Sequence, residues 1–194
     1  MVTPSHLDRD SSAPPYPRAP RTTLSIRPIR PSDSDALQSA FEHQSMQSRY
    51  YRFHSALRRL PDRLLHDLTH VDGIDHVALV ALECVGSLPQ DGVGVARFVR
   101  DARIRDNAEL AIAVAEHAQG HGIARRLLHA LAAKAKERGI RTFTMHVLAA
   151  NSRVRQLLAS LGAEAQGSDA DVILFHIAVE ALTALRSEAP PLAQ

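Results

Sequence analysis

The stretch Glu116-His117-Ala118-Gln119-Gly120-His121-Gly122-Ile123-Ala124-Arg125-Arg126-Leu127-Leu128 decides how this chain reads. Before it, Ala108 to Val114 alternates as a strand does; after it, Ile123 to Lys136 carries helical spacing. Gly120 and Gly122 remove side chains where backbone amides would have to approach a ligand closely. The start of a helix adds N–H groups that have no acceptor within the helix. Loop and helix start together make a nest of donors suited to phosphate. A tight strand-to-helix turn has the same glycine spacing, so the glycines alone leave both readings open.

The flanking residues separate them. Gln119-X-X-Gly122-X-Ala124, with Gln119 five residues after Val114, resembles the acetyl-CoA signature Gln/Arg-X-X-Gly-X-Gly/Ala of the GNAT family of N-acetyltransferases. Arg125 stands where the dinucleotide fingerprint has its third glycine, and the Gly-Lys-Ser/Thr of a nucleotide P-loop is missing. The resemblance implies an α/β (α+β) fold, with a mixed, mostly antiparallel sheet flanked by helices. It also implies acetyl-CoA as cosubstrate. The cofactor-binding residues it points to are Val114, Ala115, Glu116, Gln119, Gly120, His121, Gly122, Ile123, Ala124, Arg125 and Asn151. His121 would contribute only its backbone amide, and the free backbone groups near Val114 would pair with the pantetheine arm where this strand parts from the next.

Period-two alternation puts Leu110, Ile112 and Val114 on one face of the Ala108–Val114 strand, and Glu109, Ala111 and Ala113 on the other. A single glutamate among alanines fits a solvent-facing position on a half-exposed sheet. It equally fits a carboxylate with small neighbours that leave room for a substrate and bury the acid. The resemblance implies the second role, with Glu109 as the catalytic base, because it matches the glutamate of the "AExxxxV" strand in bacterial protein-lysine acetyltransferases. Asn151 to Ala163 is similar to the family's second signature, Asn-X-X-Ala-X-X-Leu-Tyr-X-X-Leu-Gly-Phe. There Asn151 is placed to cap a helix while touching the cofactor. Leu158 occupies the place of the tyrosine that often protonates the leaving thiolate, so this role is unfilled.

Ser48-Arg49-Tyr50-Tyr51-Arg52-Phe53 resembles the "SRYxRF" stretch of the protein-lysine acetyltransferases, although such aromatics also serve simply to pack helices on a sheet. The resemblance therefore implies transfer of an acetyl group to a primary amine, with a protein lysine as the best acceptor. A small-molecule amine acetyltransferase and a non-catalytic coenzyme A-binding regulatory module are the alternatives. The empty acid role suits the last, and Glu109 argues against it. No cyclic-nucleotide-binding or synthetase sequence accompanies these motifs in the 194 residues.

The remaining sequence bounds this reading. A chain of 194 residues with 45% apolar content can bury one sizeable core. Residues 1–22, rich in proline and serine, read as a disordered arm; 23–178 read as the N-acetyltransferase domain and 179–194 as a tail. Leu24 to Ile29 reads as an edge strand, Ser32 as a cap for the helix that follows, and 45–53 and 61–69 as short helices. Val77–Leu82, Val93–Val99, Arg141–Leu148 and Asp171–Ile177 read as further strands, with Gly86–Gly92 as a turn cluster and Gly139 closing a helix. The charge of +2 is scattered, which argues against a nucleic-acid partner. No apolar run approaches the roughly 18 residues of a membrane span, and no signal-peptide centre is present, which fits a cytoplasmic protein. Cys84 cannot form an intramolecular disulfide, and His117, His121 and His129 have no acidic or cysteine partners at metal-ligand spacing, so no metal is assigned.

Overall fold

A computed structural model describes residues 22–184, apart from 54, 56, 86 and 87. Its elements run β1 (Thr22–Pro28), a 3-10 turn (Pro31–Asp33), α1 (Ser34–Glu42), α2 (Met46–Phe53), α3 (Asp62–Thr69), β2 (His76–Val85), β3 (Leu88–Arg100) and β4 (Asn107–Val114). A second 3-10 turn (Glu116–Ala118) leads to α4 (Ile123–Glu137), β5 (Thr142–Leu148), α5 (Ser152–Ser160), β6 (Glu164–Asp169), β7 (Val172–Ala178) and α6 (Val179–Thr183). The arm expected over residues 1–22 lies, as far as residue 21, outside the described residues, as does the chain after 184. The seven strands form one mixed, mostly antiparallel sheet in the order β1-β2-β3-β4-β5-β7-β6, with helices on both faces. β4 and β5 are its parallel pair.

One face of the sheet carries the main core. Ile123, Leu127, Leu128, Leu131 and Ala135 recur at helical spacing along α4, and all are buried. They meet Leu79, Ala96, Phe98, Leu110 and Phe143 from the strands, with Val179 and Leu182 of α6 behind. Each large aliphatic side chain withdrawn from water in this way is worth about 1.5–3 kcal/mol. Gly139, at φ 75°, closes α4 in the left-handed conformation that a residue with a Cβ resists. On the other face α1 and α3 close a smaller cluster of Phe41, Leu60 and Leu68. Arg97 of β3 reaches into that layer and donates to the carbonyl of Leu68 at 3.0 Å.

Three local expectations give way to the structure. Ser32 does not cap α1. Asp33 organises that turn instead, with a bidentate pair to Arg27 at 2.7 and 2.8 Å and an acceptor oxygen 2.8 Å from the Arg30 amide. Hydrogen bonding to Arg27 therefore holds the Asp33 carboxyl below the usual aspartate range. The hairpin also reaches further into Gly86–Gly92 than its turn residues imply, because β3 begins at Leu88 and pairs with Val85. Finally, Glu164–Asp169 is a strand with all six residues exposed. An edge strand held only by its backbone bonds to β7 leaves no apolar alternation in the sequence.

Gly94 sets how closely α4 lies on the sheet. A Cβ there would meet Leu127 Cδ1 at 3.0 Å, the Ala113 carbonyl oxygen at 3.3 Å and Ile123 Cγ2 at 3.4 Å. At Gly92 the nearest atoms would stand 3.9 Å away, an ordinary contact. Gly94→Ala should therefore cost about 1–3 kcal/mol, the usual range for overpacking. Gly92→Ala should be neutral within about 1 kcal/mol, or stabilising through the unfolded chain. Paired urea melts check this order, and equal midpoints for the two variants would mean that α4 is not seated on Gly94.

Candidate functional site

β4 and β5 pair only at Asn107 with Thr142, Ala108 with Phe143 and Glu109 with Thr144. Beyond Glu109 the strands part, while β4 stays paired to β3 as far as Val114 opposite Gly94. The backbone of Leu110 to Val114 therefore has a sheet partner on one side only. Two adjoining cavities occupy the opening. The larger, about 860 Å³, is bounded by Val114, the glycine loop, the head of α4, the head of α5 and one side of α2. The smaller, about 400 Å³, lies against Glu109, Ala111 and His146. Tyr51, Arg52, Ile112, Asn151 and Val154 line both.

The loop takes its shape from two left-handed glycines, Gly120 at φ 85° and Gly122 at φ 76°. Gly122 is the N-cap residue of α4 and receives no side-chain cap. The Arg126 amide bonds back to the Gly122 carbonyl at 3.2 Å, so the amides of Ile123, Ala124 and Arg125 precede the first intrahelical bond. They stand at the positive end of a fifteen-residue helix, an arrangement that attracts anions. Val114, Glu116, Gln119, Gly120, Gly122, Ile123, Ala124, Arg125 and Asn151 line the larger cavity; Ala115 and His121 do not.

Some of these side chains are engaged in ways the motif does not reveal. Gln119 Nε2 donates to the Val114 carbonyl at 2.9 Å, so one of the free groups on the parted strand already has a partner. Glu116 turns towards α2, where its Oε1 accepts from the Ser45 amide at 3.0 Å and from Ser48 Oγ at 2.7 Å. Those bonds, with the Ser45 contribution first, hold the Glu116 carboxyl below the usual glutamate range. The Asn151 side chain caps α5 by accepting from the Val154 amide at 3.2 Å. Leu158 is 1% exposed within the main core and lines neither cavity, whereas Val154 and Leu157 of the same helix face the opening.

Glu109 lies at the outer end of the smaller cavity. Its side chain is 65% exposed, the solvent-facing one of the two positions the alternation allowed and not the burial against Ala111 and Ala113 expected of a catalytic acid, and its Oε1 is 3.9 Å from His146 Nδ1. Arg52 lies at the inner end, half-buried, with its guanidinium 4.9 Å from the Phe53 ring centre. Burial lowers the pKa of Arg52, and the charge of Glu109 opposes that shift. Beneath them Arg97, 5% exposed, is lowered to about 9 by burial first and by Arg52 second. His76, whose Nε2 is 3.3 Å from Arg97, is lowered by burial and then by Arg97. A neutral His76 can accept a hydrogen bond from Arg97 Nη1, which also donates to the Leu68 carbonyl.

The motif reading missed the wall that α2 and the residues before it give the larger cavity: Gln44, Ser45, Gln47, Ser48, Tyr51 and Arg52. The Ser48–Phe53 resemblance was the available signal, but it pointed only to the acceptor side.

A sheet that opens between parallel strands beside a glycine loop and an uncapped helix head is the framework of an acyl-CoA-dependent N-acetyltransferase. The chain belongs to the GNAT acetyltransferase family, whose model, described as "Acetyltransferase (GNAT) family", matches residues 38–163. Among its relatives, Acetyltransferase Pat of Mycolicibacterium smegmatis is 33% identical over 156 residues, covering 79% of this chain and 45% of that protein. The chain thus spans about half the length of this curated relative. The GNAT domain of S. lividans PAT superposes with a TM-score of 0.72 at 32% identity, covering 80% of this chain and 90% of that one. A cAMP-binding acyltransferase from Mycobacterium smegmatis gives a TM-score of 0.58 at 29% identity, covering 85% and 46% of the two chains.

The Glu116 contacts make α2 an acid-sensitive wall. A carboxylate whose folded pKa is depressed adds stability above its ordinary value, about 4.3 for glutamate, and loses it as pH falls through the lowered one. Glu116→Ala should therefore speed amide exchange in the first turn of α2 at neutral pH. The wild type, corrected for intrinsic rates, should show the same speeding only when acidified below about pH 4. Hydrogen-exchange mass spectrometry reads both, and unchanged protection in the variant would free α2 from this contact.

Proposed function

We propose that this chain acetylates a lysine side chain presented by a protein, by direct attack of the amine on acetyl-CoA with Glu109 as general base. The observation that carries the reading is the pair of adjoining cavities. One is headed by the amides of Ile123, Ala124 and Arg125, the other holds Glu109, and they share an inner wall. In this reading the pyrophosphate sits on those amides. The pantetheine arm then follows β4 beyond Glu109, where the strand has no partner on its β5 side. The thioester arrives at the shared wall, and the amine reaches it past Glu109.

The exposure of Glu109 supports a macromolecular acceptor. Beside it, His146 is 51% exposed and Val99 45% exposed, so the carboxylate stands on an open stretch of sheet rather than in a closed chamber. A long lysine side chain carried on another protein can reach such a group while its backbone stays outside. The similarity of Ser48–Phe53 to protein-lysine acetyltransferases agrees with this.

The chemistry follows from the charges. A lysine ammonium, with an unperturbed pKa of about 10.4, must lose a proton before it can attack. The Glu109 carboxylate attracts the cation and takes its proton directly or through one water, which an exposed group can then pass to solvent. Arg52 and Arg97 make the inner end of the cleft positive, which favours the charge that develops on the carbonyl oxygen and on sulfur.

Two measurements check this reading. Glu109→Gln keeps the shape of the side chain and should lose about 10²- to 10⁴-fold in turnover on a lysine peptide, the range of positioned base catalysis, with acetyl-CoA affinity nearly unchanged. A loss below threefold would move the base elsewhere, and faster turnover on small amines than on lysine peptides would replace the acceptor. Gly122→Glu sets an anion in the amide nest and a Cβ on a left-handed backbone, so calorimetric binding of acetyl-CoA should collapse. Retained affinity would remove the phosphate from this loop.

A further inference from the structure

Among the described residues, the shared wall between the cavities contains only one side chain that can give up a proton to a leaving thiolate. Cosubstrate and acceptor must meet where their cavities adjoin, so the departing sulfur lies within reach of Tyr51, Arg52, Ile112, Asn151 and Val154. Ile112 and Val154 are hydrocarbon. The Arg52 guanidinium can attract a thiolate as a fixed charge, and arginine serves as an anion-stabilising cation rather than as a proton donor. Asn151 is not an acid, and its amide oxygen is committed to the cap of α5. Leu158 has no proton to give and is enclosed in the core. Tyr51 is left.

We propose that Tyr51 is the general acid that protonates the coenzyme A sulfur as it leaves. Its phenolic oxygen accepts from Gln47 Nε2 at 2.8 Å and donates to the Ala150 carbonyl at 3.2 Å. The phenol thus spans the opening from α2 to the turn before α5, with its proton directed across the cleft. The bond to Ala150 is the longer of the two, and the O–H can exchange that carbonyl for sulfur by a small rotation. Gln47 keeps donating, and hydrogen bonds to an oxygen strengthen as it becomes anionic. A phenol, with a reference pKa of about 10, is a suitable partner for a thiol of about 8.5, because neither holds the proton too tightly to exchange it.

The step balances. Once the amine has attacked and given up its proton, the tetrahedral intermediate collapses and the C–S bond breaks, with its electron pair passing to sulfur. The Tyr51 proton moves to sulfur, coenzyme A leaves as the thiol, and the tyrosinate recovers a proton from solvent. No oxidant, metal or further reactant enters.

The proposal rests on the direct-transfer reading, so Glu109→Gln is measured beside each Tyr51 variant. A silent Glu109→Gln exposes a failure of that reading separately from a failure of this one. With a lysine peptide as acceptor, Tyr51→Phe should lower kcat on acetyl-CoA by about 10²-fold or more while acetyl-CoA binding and the melting temperature hold. The acetyl thioester of 4-nitrothiophenol supplies the second donor. Its leaving group needs no acid, so wild type and Tyr51→Phe should turn it over at nearly equal rates. An undiminished loss with that donor would make Tyr51 a strap that positions the thioester, and no loss with acetyl-CoA would remove it from the chemistry. Should Tyr51→Phe disturb the fold, 3,5-difluorotyrosine at position 51 keeps both hydrogen bonds. The alkaline limb of the pH–rate profile must then move to lower pH, and an unmoved limb overturns the proposal.

Discussion

The parting of β4 from β5 after Glu109 is the constraint on which the rest of the site depends. A buried backbone N–H or C=O must find a partner, so a parallel pair that separates within a sheet has to be compensated. Gln119 supplies part of that compensation at the Val114 carbonyl. The remainder of the free edge faces the two adjoining cavities, Ile112 to Val114 the larger and Leu110 to Ile112 the smaller. The strands can separate because other contacts hold each in place. β4 is tied to β3 from Ala108 to Val114, β5 through its length to β7, and α4 packs behind β2, β3 and β4. Gly94 lets α4 lie close enough to do so.

The other elements of the site are fixed by reference to that opening. α4 brings its uncapped amides to one end of the wedge, and Asn151 starts α5 beside it. α2 closes the third side and is held by polar contacts: Glu116 to Ser45 and Ser48 at its head, and Tyr51 to Ala150 across the cleft. Such contacts are weaker than core packing and are sensitive to charge. At its other end Phe53 of α2 packs edge-on against Phe41 in the smaller core, 5.5 Å between ring centres, whereas the main core holds α4 in place.

What the sequence revealed and what it hid divide along physical lines. The α4 stripe, its closing glycine and the two loop glycines were legible, because burial and left-handed backbone restrict residue type strongly. The Asn151 cap and the Glu109 face were legible for similar local reasons. β6 was hidden because an exposed edge strand places no demand on its side chains. The roles of Glu116 and Tyr51 were hidden because their partners lie 71, 68 and 99 residues away, a proximity created only by the fold. The exposure of Glu109 was one of two readings that the sequence left open. Alternation assigns a face, but which face the helices leave uncovered is a tertiary fact.

The central claim is that coenzyme A lies in the wedge between β4 and β5, and a crystal structure of the acetyl-CoA complex tests it most directly. The account predicts pyrophosphate oxygens on the amides of Ile123 to Arg125, the pantetheine arm along Ile112 to Val114, and the thioester between Tyr51 and Asn151. An amine approaching that carbonyl in line would then stand no further than one bridging water from Glu109. A pantetheine arm running outside the wedge, with β4 and β5 still apart and the glycine-loop amides unoccupied, would contradict it.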